Sequence, residues 1–372
     1  MSKPAGQRLS DRQRLNWLRL IRSENVGPSG FRDLINRYGS AEAALDALPE
    51  LAARGGRREL RICTPAEAEA ELAAAQAEGA RFVALGEQDY PALMRRMPGP
   101  PPLLAVAGGT DVFAMPAVSI VGARNASLSG IRFAGALAAG IGRAGYAIVS
   151  GLARGIDAAA HGSSLETGTV AVFAGGLDRP YPPENIALSR RIVESGGALI
   201  SEMPFGWEPR ARDFPRRNRL IAGMSIGLVV VEAAKRSGSL ISARLAGEMG
   251  RLVFAAPGSP LDPRAAGTNA LLKDGAILVT EAGDVLDALA PLSGLPPRAA
   301  ESFDEPPDYA AAPEPGDTDR ARVVEALGPS PVAVDEIIAH TGLHPAQVFM
   351  ILLELELAGR LERHSGDAVS LL

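Results

Sequence analysis

Apolar positions along the chain change period twice. Near the start, Leu15, Leu18, Leu20 and Ile21 recur at near-helical spacing, Val26-Gly27-Pro28-Ser29-Gly30 interrupts them, and Phe31, Leu34 and Ile35 resume the pattern. This predicts helix, turn, helix. A glycine-containing turn of this kind can offer backbone N–H groups to a phosphate, although most such turns only reverse the chain. An Ala- and Glu-rich helix is expected over 66–78, a strand over Arg81 to Leu85, and a boundary at Pro98-Gly99-Pro100-Pro101-Pro102, where proline removes the donors a sheet needs.

From Val118 onward, short β-branched runs alternate with helical stretches. The runs are 118–121, 147–149, 169–173, 199–200, 228–231, 252–255 and 277–279. Alternation of this kind predicts an α/β domain with a doubly wound, mostly parallel sheet covered by helices on both faces. Residues 294–316 hold six prolines with Glu301, Asp304, Glu305, Asp308 and Glu314, the composition of an extended linker. Three helices over 319–327, 334–341 and 345–357 and a small hairpin over 360–367 then give the order of a winged helix. The expected division is a helical domain over 1–65 (of SAM or helix-hairpin-helix kind), the sheet domain over 66–290, a linker over 291–316 and a winged helix over 317–372.

Composition adds class and compartment. At 372 residues, 47% hydrophobic and 22% charged, the chain is long enough for two or three domains and lies in the ordinary globular range. Cys63 is the single cysteine, so neither an internal disulfide nor a cysteine metal site is expected. The first 22 residues offer no uninterrupted apolar core for a secretion signal. The longest apolar strand run, Ile226 to Val231, is far below the ~20 residues of a membrane span. A soluble cytoplasmic protein is expected.

The net charge of -5 is unevenly spread. Residues 291–372 carry five Arg against fourteen Asp plus Glu, which leaves the rest of the chain net positive. Within 208–219, Arg210, Arg212, Arg216, Arg217 and Arg219 face only Glu208 and Asp213. That is the footprint of an anion-binding surface.

Nearly every glycine-rich or polar cluster of the middle domain begins where a predicted strand stops, and in a doubly wound sheet those ends line one crevice. The first cluster, Gly122-Ala123-Arg124-Asn125-Ala126-Ser127, resembles a dinucleotide loop. It fails as one, because Arg124 takes the place of the glycine that lets pyrophosphate approach, and Ser150 stands after the next strand where an acid would hold a ribose. No phosphate-binding loop of the ATPase type is present either. What remains is a helix N-terminus near Ser127 to Gly130 with Arg124 beside it, to which Arg217, Asn218 and Arg219 add charge and an amide; phosphate is the natural guest. The competing reading is that Arg217 and Arg219 only pair with Glu202, Glu232 or Asp178. Asp157 and His161 lie four apart, but a structural pair is expected there, since Asp157 follows a glycine turn that wants a cap and His161 has no companion for a metal or nucleophile. No catalytic residue, metal or cofactor is expected.

Taken in order, Val121-Gly122-Ala123-Arg124, Val149-Ser150-Gly151-Leu152-Ala153-Arg154-Gly155-Ile156-Asp157, Gly176-Leu177-Asp178 with Tyr181-Pro182, and Phe214-Pro215-Arg216-Arg217-Asn218-Arg219 resemble the DNA-processing protein A (DprA/Smf) family. Ser237-Gly238-Ser239, Ala256-Pro257-Gly258 and Gly267-Thr268-Asn269 continue the likeness. The resemblance implies an extended Rossmann-like domain that binds single-stranded DNA, self-associates as a homodimer, and loads the recombinase RecA during natural transformation. It also implies DNA contacts at Gly122, Ala123, Arg124, Ser127, Ser150, Gly151, Arg154, Arg216, Arg217, Asn218 and Arg219; no residue is assigned to self-association. The winged helix departs from a duplex reader, because its third helix carries Glu354 and Glu356 and neither Lys nor Arg, which favours a protein-contact or regulatory role. A rival reading is a nucleotide-processing hydrolase of the phosphoribohydrolase kind, whose Pro-Gly-Gly-x-Gly-Thr-x-x-Glu motif is missing: Pro257-Gly258 leads instead into Ser259-Pro260.

Overall fold

The computed structural model describes residues 8–57, 59–293, 314–364 and 366–372. The chain divides into two compact units, one of Met1–Arg8 with Glu71–Leu295, the other of Leu9–Ala70 with Pro296–Leu372. Its N-terminal and C-terminal portions therefore share one unit.

Three helices open the chain: α1 (Asp11–Arg22), α2 (Pro28–Tyr38) and α3 (Ala41–Arg54). Ser10 caps α1 in a reciprocal arrangement with Gln13, and Pro28 starts α2 at the position where its missing N–H costs nothing. Helix α4 (Pro65–Ala77) leads to β1 (Ala80–Ala84), β2 (Leu103–Gly108) and β3 (Ala117–Gly122). The alternation then runs α5 (Leu128–Arg143), β4 (Ala147–Ser150), α6 (Ile156–Ser163), β5 (Thr169–Val172), α7 (Ile186–Glu194), β6 (Ala198–Ser201) and α8 (Asp213–Gly223). It closes with β7 (Gly227–Val231), α9 (Gly238–Glu248), β8 (Leu252–Ala255), α10 (Ala266–Lys273), β9 (Ile277–Leu278) and α11 (Ala282–Ser293).

The nine strands form one sheet in the order β1-β2-β6-β5-β4-β3-β7-β8-β9. Pairing is parallel from β6 to β9, while β1 and β2 join antiparallel at one edge. Strand alternation explains why the central strands read as unbroken apolar runs. Val118, Ile120, Ile148 and Val229 face a core built with Leu137 and Ile141 of α5, whereas Val121, Val149, Leu228 and Val230 face Leu220, Ile221 and Ala246 of α8 and α9. Each fully buried Leu or Ile here contributes roughly 1.5–3 kcal/mol. The proline run separates two strands of the sheet domain. It connects β1 to β2, whose residues Ala84 and Leu103 are register partners, so the prolines end where the strand begins.

In the second unit, α12 (Asp317–Ala326), β10 (Val332–Ala333), α13 (Val334–Thr341), α14 (Pro345–Leu357), β11 (Leu361–Arg363) and β12 (Ala368–Leu371) make a winged helix with sheet order β10-β12-β11. Helix α14 is apolar almost all round. Val348, Ile351, Leu352 and Leu355 pack with Val323, Ile337 and Val369, while Met350, Leu353 and Leu357 pack with Leu20, Phe31, Leu34 and Leu48 of the N-terminal helices. Close approach depends on Gly55, where a Cβ would fall 2.0 Å from the Glu354 carbonyl oxygen. Buried Glu354 takes two hydrogen bonds from Arg320, at 2.8 and 2.9 Å, and Glu356 accepts from Arg363, which also reaches Asp33 of α2. Both acids of the third helix are therefore internal. Of the expected linker, residues 291–293 end α11, and 294–313 lie outside the described residues.

Candidate nucleic-acid interface

The strand ends of the sheet bring three loops and one helix face together. The loop after β4 is rigid from within: the Ser150 hydroxyl donates to the Ile120 carbonyl at 2.6 Å, and the N–H groups of Gly151 and Ala153 donate to Asp157 at 3.2 and 3.3 Å. Asp157 thus ties down the turn that leads into α6. Burial raises its carboxyl above the ordinary value, opposed by the charge of Arg217 and by those N–H groups. His161, one turn on, shares a hydrogen bond of 2.7 Å with Thr169, whose hydroxyl already donates to the Ile148 carbonyl. His161 Nδ1 is therefore the donor. Burial, reinforced by Arg217, pushes this imidazole down to about 3 and keeps it neutral. Both side chains thus bond within the fold, Asp157 to the loop before α6 and His161 to β5.

Helix α8 sorts the arginine-rich run by its own period. Phe214 and Arg217, three apart, share one face, while Arg216 and Arg219, also three apart, share another. Arg217 is buried, and its Nη1 donates to the carbonyls of Gly151 and Val172 at 2.6 Å each. No carboxylate forms an ion pair with it among the described residues, and its Nε has no partner there. Burial lowers Arg217 to about 10, against the nearby Asp157 charge, which leaves it protonated at neutral pH. Gly151 is required beside it, since a Cβ there would meet the guanidinium at 2.1 Å.

Phe214 carries the Arg124 guanidinium over its ring at 5.0 Å, with Arg217 at 5.9 Å and Tyr181 edge-on at 5.7 Å. Around this stack opens a shallow recess, whose wall includes Arg124, Gly151, Arg154, Tyr181, Phe214 and Arg217. A second shares Gly151, Tyr181, Phe214 and Arg217 and adds Phe173, Arg179 and Pro209. Guanidinium groups and aromatic faces meet in one place.

Residues 81–290 match the family model described as DNA recombination-mediator protein A, 11–74 a DprA-like N-terminal HHH domain, and 306–367 a DprA winged helix domain. The chain belongs to the DNA recombination-mediator protein A family. It is 40% identical over 258 residues to Protein Smf of Escherichia coli (strain K12), covering 68% of this chain and 67% of that protein. It is 39% identical over 331 residues to the putative DNA processing protein DprA of Mycobacterium tuberculosis (strain H37Rv), covering 87% and 79%. Among solved structures, DNA processing protein A of Streptococcus pneumoniae aligns at a TM-score of 0.61 and 33% identity over 73% of this chain and 97% of that one. DNA processing protein A of Helicobacter pylori, described for its single-stranded DNA binding mode, aligns at 0.52 and 28% over 56% and 96%. The family is one of recombination mediators, and the extended Rossmann-like domain with its helical and winged-helix partners is the fold that the sequence led one to expect.

The residues singled out from the sequence separate in space. Arg124, Gly151, Arg154 and Arg217 line the recess, with Arg154 exposed and 3.7 Å from Glu184. Gly122 ends β3, and Ala123 leads from it into the turn at Arg124 and Asn125. Ser150 spends its hydroxyl on the Ile120 carbonyl. Ser127 is not open to an outside anion, because its N–H donates to Glu232 at 2.9 Å and its hydroxyl bonds the same carboxylate. Arg216 and Arg219 both bind Glu202, the first at 3.0 Å, and Asn218 donates to the Gly238 carbonyl at 3.2 Å. For Arg219 the pairing alternative therefore holds. Sequence reasoning missed Phe214 and Tyr181 as site residues; the signal was an aromatic three positions before Arg217 on a helix.

Proposed function

We propose that this protein binds single-stranded DNA in the recess around Phe214, protects it, and loads a RecA-type recombinase, acting as a cytoplasmic homodimer in natural transformation. The observation that carries the reading is the stack of Arg124, Phe214 and Arg217: a buried cation without an ion-paired carboxylate among the described residues, beside an aromatic face in an open recess. Such a cation is complemented by a phosphate, and Tyr181 and Phe214 offer surfaces on which an unpaired base can stack. Kinship with proteins named for DNA processing, one of them described for single-stranded DNA binding, supports the same substrate. Self-association and recombinase contact rest on family likeness alone and carry no residue assignment.

Competition binding tests the substrate. A labelled thymidine oligomer is displaced at physiological salt by unlabelled oligomer or by matched duplex. The recess admits a flexible strand with splayed bases and not a rigid rod, so oligomer is expected to displace far better than duplex. Equal displacement overturns the reading.

A further inference from the structure

Doubly wound sheets hold nucleotide phosphates where strand order reverses, against the N-terminus of the helix after the central strand. Here that point lies between β3 and β7, whose end residues Gly122 and Val231 are register partners, and the helix is α5, capped by Ser127. The recess around Phe214 borders this point: it lies over the ends of β4 and β5, and Arg124 reaches it from the loop after β3.

Glu232 sits at the switch point itself, against the start of α5. It leaves β7 with φ of +54°, a left-handed backbone that a residue with a long side chain rarely adopts. Its carboxylate accepts from the Ser127 N–H at 2.9 Å and from the Ser127 hydroxyl, while Ser127 Oγ accepts from the Gly130 N–H at 2.9 Å. Gly130 makes the space, because a Cβ there would stand 2.6 Å from the Glu232 carboxyl carbon. A strained backbone, a missing Cβ and two hydrogen bonds all serve to hold one carboxylate where a phosphate would otherwise sit.

We propose that Glu232 is a built-in anion that fills the phosphate seat of the fold and determines specificity, excluding pyrophosphate and free nucleotides from the switch point. The exclusion has two physical parts. The carboxylate uses the donors an incoming phosphate needs, and its charge repels a second anion at short range across a low-dielectric crevice. Neither part depends on what the recess around Phe214 binds.

The test titrates inorganic pyrophosphate and AMP into the full-length chain and into Glu232→Ala and Glu232→Gln by calorimetry, with a thymidine oligomer titrated in parallel. Wild type is expected to bind neither small anion at millimolar concentration. Glu232→Ala opens the seat and should gain pyrophosphate affinity of roughly tenfold or more, as a vacated helix N-terminus allows. Glu232→Gln keeps size and hydrogen bonding without charge, so it should gain less, and it carries the test if the alanine variant does not fold. Pyrophosphate binding by wild type equal to that of the variants overturns the proposal, as does a folded Glu232→Ala with no gain. If the oligomer binds none of these proteins, the DNA reading fails while the pyrophosphate comparison still decides this one.

Discussion

At the scale of single residues, neighbouring arginines of one run have different physics. Arg124 is exposed and touches only the Phe214 ring among the described contacts, so Arg124→Ala should change stability by no more than about 0.5 kcal/mol. If it contacts a phosphate, its loss should weaken oligomer binding and flatten the slope of log affinity against log salt by ~0.7, since fewer counterions are released. Arg217→Ala should do both harms. It strands two carbonyls and leaves buried Asp157 without a neighbouring cation, which costs roughly 3 kcal/mol on top of the binding loss. Melting temperature and salt slope measured on the same variants decide this. An unchanged slope for Arg124→Ala would remove the recess from the candidate site.

At the scale of elements, what could be read from the sequence depended on how local the cause was. Strands β3 to β5 and β7 were legible because helices cover both faces and leave unbroken apolar runs. β2 was not, because Leu-Leu-Ala-Val-Ala-Gly directly after prolines carries no turn signal of its own. The role of Ser127 was hidden for a similar reason: its partner Glu232 is 105 residues away, and no spacing rule links the two. Helix α14 shows the largest gap. Its acids were read as opposing a duplex phosphate, whereas Arg320 and Arg363 pair with them on a helix shared by two cores. Removing residues 317–372 should therefore do more than delete an acidic module. It strips Met350, Leu353 and Leu357 from the core around Phe31 and Leu34, exposing apolar surface on α2 and α3. The truncated chain is expected to lose hydrogen-exchange protection in residues 11–54 while residues 80–290 keep theirs. Full protection in the N-terminal helices would show that they fold without α14.

At the scale of the whole molecule, two units with separate cores need not unfold together, and the two tryptophans report on them separately: Trp17 belongs to the second and Trp207 to the first. The first unit contains a built-in acid sensitivity. His161 is neutral in the folded protein, held down to about 3 by burial and by Arg217, while the unfolded chain protonates it near 6.5. A folded value depressed below the unfolded one means that the unfolded state binds the extra proton. The stability associated with neutral His161 is thus complete above about pH 6.5 and falls as pH drops from there towards 3, by about 1.4 kcal/mol per pH unit. Glutamine at this position stays neutral throughout. Urea unfolding followed by Trp207 fluorescence in a Trp17→Phe background should show a steep loss of stability between pH 6.5 and 4.5 for the parent and a shallower one for His161→Gln. The difference between the two slopes isolates the imidazole from the other carboxylates that titrate in the same window. Parallel slopes would mean that His161 does not stay neutral in the folded core, and that the buried cation Arg217 does not exert the field assigned to it.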